Sequence, residues 1–278
     1  MDWARAKSIL ICIFIALNIF LLITISKFYF RDNPSEETIV NAINALKSRG
    51  VIVKTEIPRY NEKVGKLSYY DSTCEKNNII YNFFGENKNL TRTRVGNTEE
   101  VIFDNKKIIF DDSGKLRYED INPKSSINTS DKFSVLNQIE KIVKNFNIPF
   151  EKFYEDEYTR NNDSATDVIL ILKYKNFFVF DNYVKAEATD KGITYLEIKY
   201  RDVKGITSKK KILPIYQVLL KNFKGANNGS VIEGIDIGFK ENILELGTKE
   251  TNDIPAWRIR IEKGKCRYFK AYTGEEIM

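Results

Sequence analysis

The chain contains no histidine. That excludes Ser-His-Asp and Cys-His catalytic arrangements, histidine-ligated zinc, and the side chain that most often acts as a base near neutral pH. Cysteine is almost as scarce, with three in 278 residues: Cys12, Cys74 and Cys266. A small disulfide-stapled scaffold is therefore excluded, although a single bridge between Cys74 and Cys266 stays open. There is no glycine-rich phosphate loop, no nucleophile elbow, no paired-cysteine metal motif and no S-x-x-K in a helical context. Asp111-Asp112 and Glu99-Glu100 are carboxylate neighbours, but adjacent strand residues point to opposite faces. Asp111-Asp112 also adjoins an expected turn, where aspartate is common for conformational reasons. No catalytic, cofactor-binding or metal-ligating residue is singled out, no cofactor is expected, and the chain reads as a non-enzyme. A carboxylate dyad assembled from distant residues remains open, and with it a wall hydrolase as a third class of function.

Strong charge of one sign is lacking as well. The formal net charge is +6, but residues 1–31 hold Arg5, Lys7, Lys27 and Arg31 against Asp2 alone. The remainder has 40 basic and 37 acidic residues. Its densest basic cluster, Lys209-Lys210-Lys211, reads as a solvated loop before a helix. Electrostatic capture of nucleic acid is not indicated. The abundance of asparagine, lysine and isoleucine suggests an AT-rich bacterial genome. The N-x-S/T matches at Asn89, Asn128, Asn162 and Asn228 are then coincidental.

What is present begins at the N-terminus, MDWARAKSILICIFIALNIFLLITISKF. Residues 8–26 carry no charge, and a helix of that length spans about 28 Å, close to the ~30 Å hydrocarbon core of a bilayer. A cleavable signal peptide has a shorter apolar region and a small-residue cleavage site. Here Lys27-Phe28-Tyr29-Phe30 follows, which is bulky and basic. The expectation is an uncleaved signal anchor: residues 1–7 cytoplasmic, 8–26 spanning the cell membrane, and the rest extracytoplasmic. Basic residues on both sides leave orientation less clear-cut, and the translocation of a large C-terminal domain favours an internal N-terminus. Within the anchor, Ala4, Ser8, Cys12 and Ala16 recur every fourth residue, a small-residue ridge that lets membrane helices approach closely. Asn18 sits about 160° around the helix from Ala16 at ~100° per residue. Its amide favours a hydrogen-bonding partner on another helix, or else a carbonyl of its own. These five residues are the expected helix-packing site.

Beyond the anchor the pattern is α+β. A helix is expected from the Asn33-Pro34-Ser35 start, with Ile39, Ala42, Ile43 and Leu46 on one face and Arg49-Gly50 as its stop. Strand-like runs follow at Val51–Val53 and Ile79–Phe84, and residues 106–120 read as a hairpin turning at Asp112-Ser113-Gly114. A second cycle starts with a helix capped by Asp131 and continues with strand-like runs over residues 167–175, 183–189 and 193–200. A third short helix spans residues 214–223, and residues 231–240 look like a strand. In the tail, Trp257, Ile259 and Ile261 share one strand face and Arg258, Arg260 and Glu262 the other. Lys263-Gly264 then turns the chain into an aromatic partner strand. The expected organisation is two extracytoplasmic subdomains, residues 32–125 and 126–278, each built of helix-plus-antiparallel-sheet units.

The opening MDWARAKSILICIFIALNIFLL resembles that of the YycI (WalI) family, with its Met-Asp-Trp, basic pair and signal-anchor helix bearing a polar residue near the middle. The tail, Pro255-Ala256-Trp257-Arg258-Ile259 and Ala271-Tyr272-Thr273-Gly274-Glu275, resembles it too and is shared more loosely with PepSY-like domains. Residues 60–210 carry no diagnostic motif. The resemblance implies a membrane-tethered accessory regulator of an essential sensor histidine kinase (YycG, or WalK) in low-GC Gram-positive bacteria. It would act with the related protein YycH in two-component control of cell-wall metabolism, through contacts among transmembrane helices. The family has no catalytic residues to transfer. The alternative is a tethered PepSY-like inhibitor or binding module for a secreted protease or wall enzyme, acting from its outer domain alone.

Overall fold

The computed structural model describes residues 3–29, 34–60, 62–71, 75–86, 89–162, 165–224, 229–242, 252–262 and 264–277. Cys74 lies outside them, so its pairing with Cys266 lies outside them as well.

The apolar leader is one helix, α1 (Trp3–Tyr29). Helix α2 (Glu36–Ser48) starts where Ser35 accepts the Thr38 N–H at 3.2 Å, with Glu36 and Glu37 favourably placed in the first turn. It buries Ile39, Ala42 and Leu46 and ends at Arg49, with Gly50 at φ 76°. After β1 (Ile52–Val53) and β2 (Val64–Tyr69) comes a correction. Ile79–Phe84, expected as a strand, belongs to helix α3 (Lys76–Phe84). Ile79, Ile80, Phe83 and Phe84 recur in pairs four apart, which is a helical stripe, whereas a half-buried strand would alternate. Gly85, at φ 64°, stops the helix.

Four short strands form a meander: β3 (Thr91–Val95), β4 (Thr98–Phe103), β5 (Lys106–Asp111) and β6 (Lys115–Asp120). The β5–β6 turn lies at the expected Asp112-Ser113-Gly114, where Asp111 accepts the Ser113 N–H. Asp131 caps α4 (Lys132–Asn145) by accepting the Phe133 N–H at 3.1 Å, and Val135, Ile139 and Val143 make its buried face. Then follow β7 (Phe153–Asn162), β8 (Ala165–Tyr174), β9 (Phe177–Thr189), β10 (Gly192–Lys199) and β11 (Val203–Lys210). Lys209 and Lys210 thus end an exposed strand and are not in a loop. Helix α5 (Ile215–Asn222) leads to β12 (Val231–Glu241), β13 (Asp253–Ile261), β14 (Lys265–Lys270) and β15 (Glu276–Ile277).

All the strands join one sheet, whose longest path runs β11-β2-β13-β12-β9-β10-β6-β5-β4-β3. Pairing is antiparallel except where β12 meets β1 and β9. The sheet crosses the expected boundary at residue 125, because β6 pairs with β10 over Lys115–Glu119 and Tyr195–Lys199. By connectivity its strands fall into two groups. A terminal lobe is built from both ends of the extramembrane chain: α2, β1, β2, β11, α5 and β12–β15. An inserted lobe holds α3, β3–β6, α4 and β7–β10. One continuous hydrophobic core runs through both, from Leu46, Val218, Leu219, Trp257 and Phe269 to Ile108, Val135, Ile139 and Leu196.

Candidate functional site: the anchor helix and the polar seam

Helix α1 contains an 18-residue window, Lys7–Thr24, of mean hydropathy 2.4, long and apolar enough to cross a membrane. Ser8, Cys12 and Ala16 are exposed and follow one another at helical i, i+4 spacing, with Ala4 one step earlier in the same helix. Asn18 is also exposed, and its Nδ2 donates to the Phe14 carbonyl at 2.8 Å. One amide N–H is therefore satisfied within its own helix, the second of the two arrangements the sequence allowed. Thr24 does the same to Phe20 at 2.8 Å.

Helix α2 is the next element in the chain after α1, and it is fixed to α5. Arg49, just past the end of α2, donates from Nη1 to the Leu220 carbonyl at 2.9 Å and the Phe223 carbonyl at 3.4 Å, satisfying the orphan carbonyls at the end of α5. The tail residues that carry the family resemblance complete this corner. Asn222 donates to the Gly274 carbonyl at 2.8 Å, Tyr272 donates to the Val64 carbonyl at 2.8 Å, and Trp257 Nε1 donates to the Leu213 carbonyl at 3.0 Å. Gly274, at φ 69°, supplies the left-handed turn that brings the chain end back onto α5.

The two lobes meet at a narrow seam. Strands β9 and β12 pair in parallel over only Gly238-Phe239 and Phe178-Val179. Gly238 is required there, since a Cβ would lie 2.3 Å from the Phe178 carbonyl oxygen and 2.8 Å from the Phe180 ring. Charge clusters reinforce this short bridge. In the first, Arg258 is 1 % exposed and forks onto Asp156 of β7 with two bonds of 2.7 Å, while Asp236 of β12 accepts at 2.9 and 3.1 Å. Its guanidinium stacks on Phe180 and Phe178, 4.9 and 5.4 Å from the ring centroids. Burial alone pulls the Arg258 pKa down, but the bonds and charge of Asp156, then of Asp236, reverse this and hold the guanidinium charged.

In the second cluster Asp253 of β13 is fully buried, accepts the Tyr69 hydroxyl, and pairs with Arg201 at 2.8 and 2.9 Å. Arg201, on the β10–β11 connection, lies over the Tyr69 ring at 4.0 Å. Beside it Lys199 binds Glu241 at 2.7 Å, and Asp181 of β9 accepts from Lys240 at 2.5 Å and from the Glu241 N–H at 2.8 Å. Burial raises the Asp253 carboxyl above its usual range, Arg201 opposing it. For Asp181 burial also pushes upward, but Lys240 and the Glu241 N–H prevail and the net shift is down. A third group, on β10 and β6, centres on Glu197, which accepts from Tyr183 at 2.7 Å and Arg117 at 3.2 Å. Despite burial these bonds leave it below the usual glutamate range.

Asp181 and Glu197 bind protons more weakly folded than unfolded. Their stabilisation is therefore complete above the ordinary carboxylate range and is lost as pH falls through and below about 4. Asp253 works in the opposite sense, its contribution shrinking as pH rises above that range. Asp111, Glu275 and Glu276 are shifted down as well, so acidification is expected to lower the urea midpoint, and Asp181→Asn is expected to flatten that slope. An unchanged slope in the variant would contradict the assignment.

Among the described residues no group of three or more cysteine, aspartate or glutamate side chains is placed to hold a metal ion. The Glu99 and Glu100 carboxylates go to opposite faces of β4, Glu99 pairing with Lys76 at 3.0 Å, and Asp111 serves its turn. Sequence reading placed Arg258 and Arg260 on the polar face of their strand but did not find Asp156, Asp181, Arg201 or Asp253, which come from four separate segments. The only signal available was a charged residue inside an otherwise apolar strand, as at Asp253 beside Ile254 and Arg258 between Trp257 and Ile259.

The chain thus combines one apolar helix of spanning length with an α+β body whose ionic groups tie its own elements together, a build consistent with a membrane-anchored protein. The family model described as YycI protein matches residues 31–272, and the chain belongs to the YycI family. It is thereby an accessory protein of a two-component system, associated with a histidine kinase system, in a regulatory family and not a known enzyme family. No curated protein matches the chain.

Proposed function

We propose that this protein is a single-pass membrane regulator of a YycG (WalK)-type sensor kinase, with its N-terminus cytoplasmic and its α+β body extracytoplasmic, acting together with YycH in the control of cell-wall metabolism. The family match over residues 31–272 carries this reading, and the spanning-length helix α1 supports it. Ala4, Ser8, Cys12 and Ala16 form the ridge on which a partner helix closes, and Asn18 marks a second contact on the opposite flank, its unused amide groups available to a neighbour. Each interhelical hydrogen bond of this kind contributes about 0.6–2 kcal/mol. Confinement to one membrane raises the partners' effective concentration, so weak contacts suffice. Regulation then requires the anchor to bind one signalling state of the kinase better than the other.

The test compares full-length protein, residues 32–278 alone, and a full-length variant with residues 8–26 replaced by polyleucine, in a kinase-output reporter. Loss of most regulation in both altered forms is expected. Full regulation by the soluble part would instead identify a binding module acting from outside the membrane, and full regulation by the polyleucine form would remove the helix-packing role.

A further inference from the structure

A cavity of about 350 Å³ opens in the inserted lobe, away from the anchor and the seam. It is at the small end of the ~300–1,000 Å³ range of ligand pockets. Its floor is apolar and partly aromatic. Tyr118 lies near-parallel to Phe83, centroids 5.5 Å apart at 26°, with Ile142 of α4 and Ile193 of β10 alongside.

Its far wall is the connector between β6 and α4, which has no helix or strand but is fixed in place. The Ile121 N–H binds the Asn105 carbonyl at 3.0 Å, the Asn122 N–H binds Asp120 at 3.1 Å, and the Ile127 N–H binds the Asp190 carbonyl at 2.9 Å. Pro123 rests directly on Gly192, where a Cβ would be 2.7 Å from the proline Cβ. The residues between these fixing points, Asn122 to Ser125, line the cavity.

The polar lining is unusual in two respects. Four amide residues are among those that line it, Asn105, Asn122, Gln138 and Asn145, and the charges cancel, with Asp104 and Asp120 against Lys106 and Lys124. Asp120 is buried and held by the Tyr118 hydroxyl at 3.1 Å. The side chains of Asp104, Lys106, Lys124 and Gln138 have no hydrogen bond or ion pair among the described residues.

We propose that this cavity is a binding site for a neutral saccharide. Balanced charge selects against phosphates and other anions, which need a net excess of donors. A lipid chain would leave the amides and carboxylates unsatisfied. A polyhydroxylated ring fits both parts: its hydroxyls donate and accept at once, as amides and carboxylates require, and its C–H face covers the Tyr118–Phe83 side.

The proposal does not depend on the kinase reading and is tested on purified full-length protein in lipid nanodiscs. Cellobiose and N,N′-diacetylchitobiose are titrated in turn, with inorganic phosphate and trialanine as competing chemistries, and binding is followed by calorimetry. At least one disaccharide is expected to bind. The double variant Asn122→Ala, Gln138→Ala is expected to weaken it at least about tenfold. Gln217→Ala on α5 is expected to leave it unchanged. Circular dichroism and the urea midpoint confirm that the variants are folded. Absence of binding by both sugars, equal binding by the double variant, or preference for phosphate or the peptide would each overturn the proposal.

Discussion

Replacing Arg258 by alanine is expected to lower the free energy of unfolding by about 3–5 kcal/mol, the range found when one partner of a buried ion pair is removed. The loss is not the value of the pair itself. It arises because Asp156 and Asp236, with side chains only 7 % and 16 % exposed, are left charged without their main counter-ion. Arg260 reaches both carboxylates, at 3.6 and 3.3 Å, and recovers part of the deficit, which places the expectation toward the lower end. The sharper check is a triple variant, Arg258→Met with Asp156→Asn and Asp236→Asn, which removes the charges together. It is expected to be substantially more stable than Arg258→Ala in urea titration. If Arg258→Ala alone costs under about 1 kcal/mol, the cluster is behaving like a surface pair and the account of the seam fails.

The second large effect is expected at Gly238. Substitution by alanine pushes a methyl group into the Phe178 carbonyl, a backbone atom that cannot rotate away, so β9 and β12 must separate at their only point of pairing. Overpacking of this kind costs about 1–3 kcal/mol, and the rigid obstacle places Gly238→Ala at the upper end. Hydrogen exchange distinguishes a seam defect from general loosening. Amides of Phe239 and Glu241 are expected to lose protection, while those of α4 keep theirs, because α4 lies wholly within the inserted lobe. Uniform loss of protection would mean that the two lobes unfold as one unit and the seam is no boundary.

Much of the local structure was legible in the sequence because it depends on neighbours a few positions away. Ser35 and Asp131 mark helix starts, Asp112-Ser113-Gly114 marks a turn, and Trp257, Ile259 and Ile261 do share a buried or half-buried face, while Lys263 of the other expected turn lies outside the described residues. Helix α3 was misread because its β-branched and aromatic content was weighed above its spacing, although its four apolar side chains recur in pairs four apart. The polar face of β13 was legible as a face, but not as a buried one. Alternation separates two sides of a strand, but only Phe178 and Phe180, some eighty residues away, make the second side an interior one. The seam partners were out of reach for the same reason, since Arg201 and Asp253 are joined by topology and not by spacing. Of the candidate packing site, the ridge and Asn18 follow from helix geometry alone, whereas the clamp of Arg49 on the end of α5 needed the fold.

Interrupting the terminal lobe with the inserted one has a consequence for biogenesis. Helix α2 and strand β2 are made early, yet their partners, α5 for the helix and β11 and β13 for the strand, are made late. Closing so long a loop is entropically slow, and until it closes the apolar stripe of α2 waits without its cover. A product ending before Ile215 would lack that cover permanently and is expected to be degraded, leaving full-length molecules as the ones that persist.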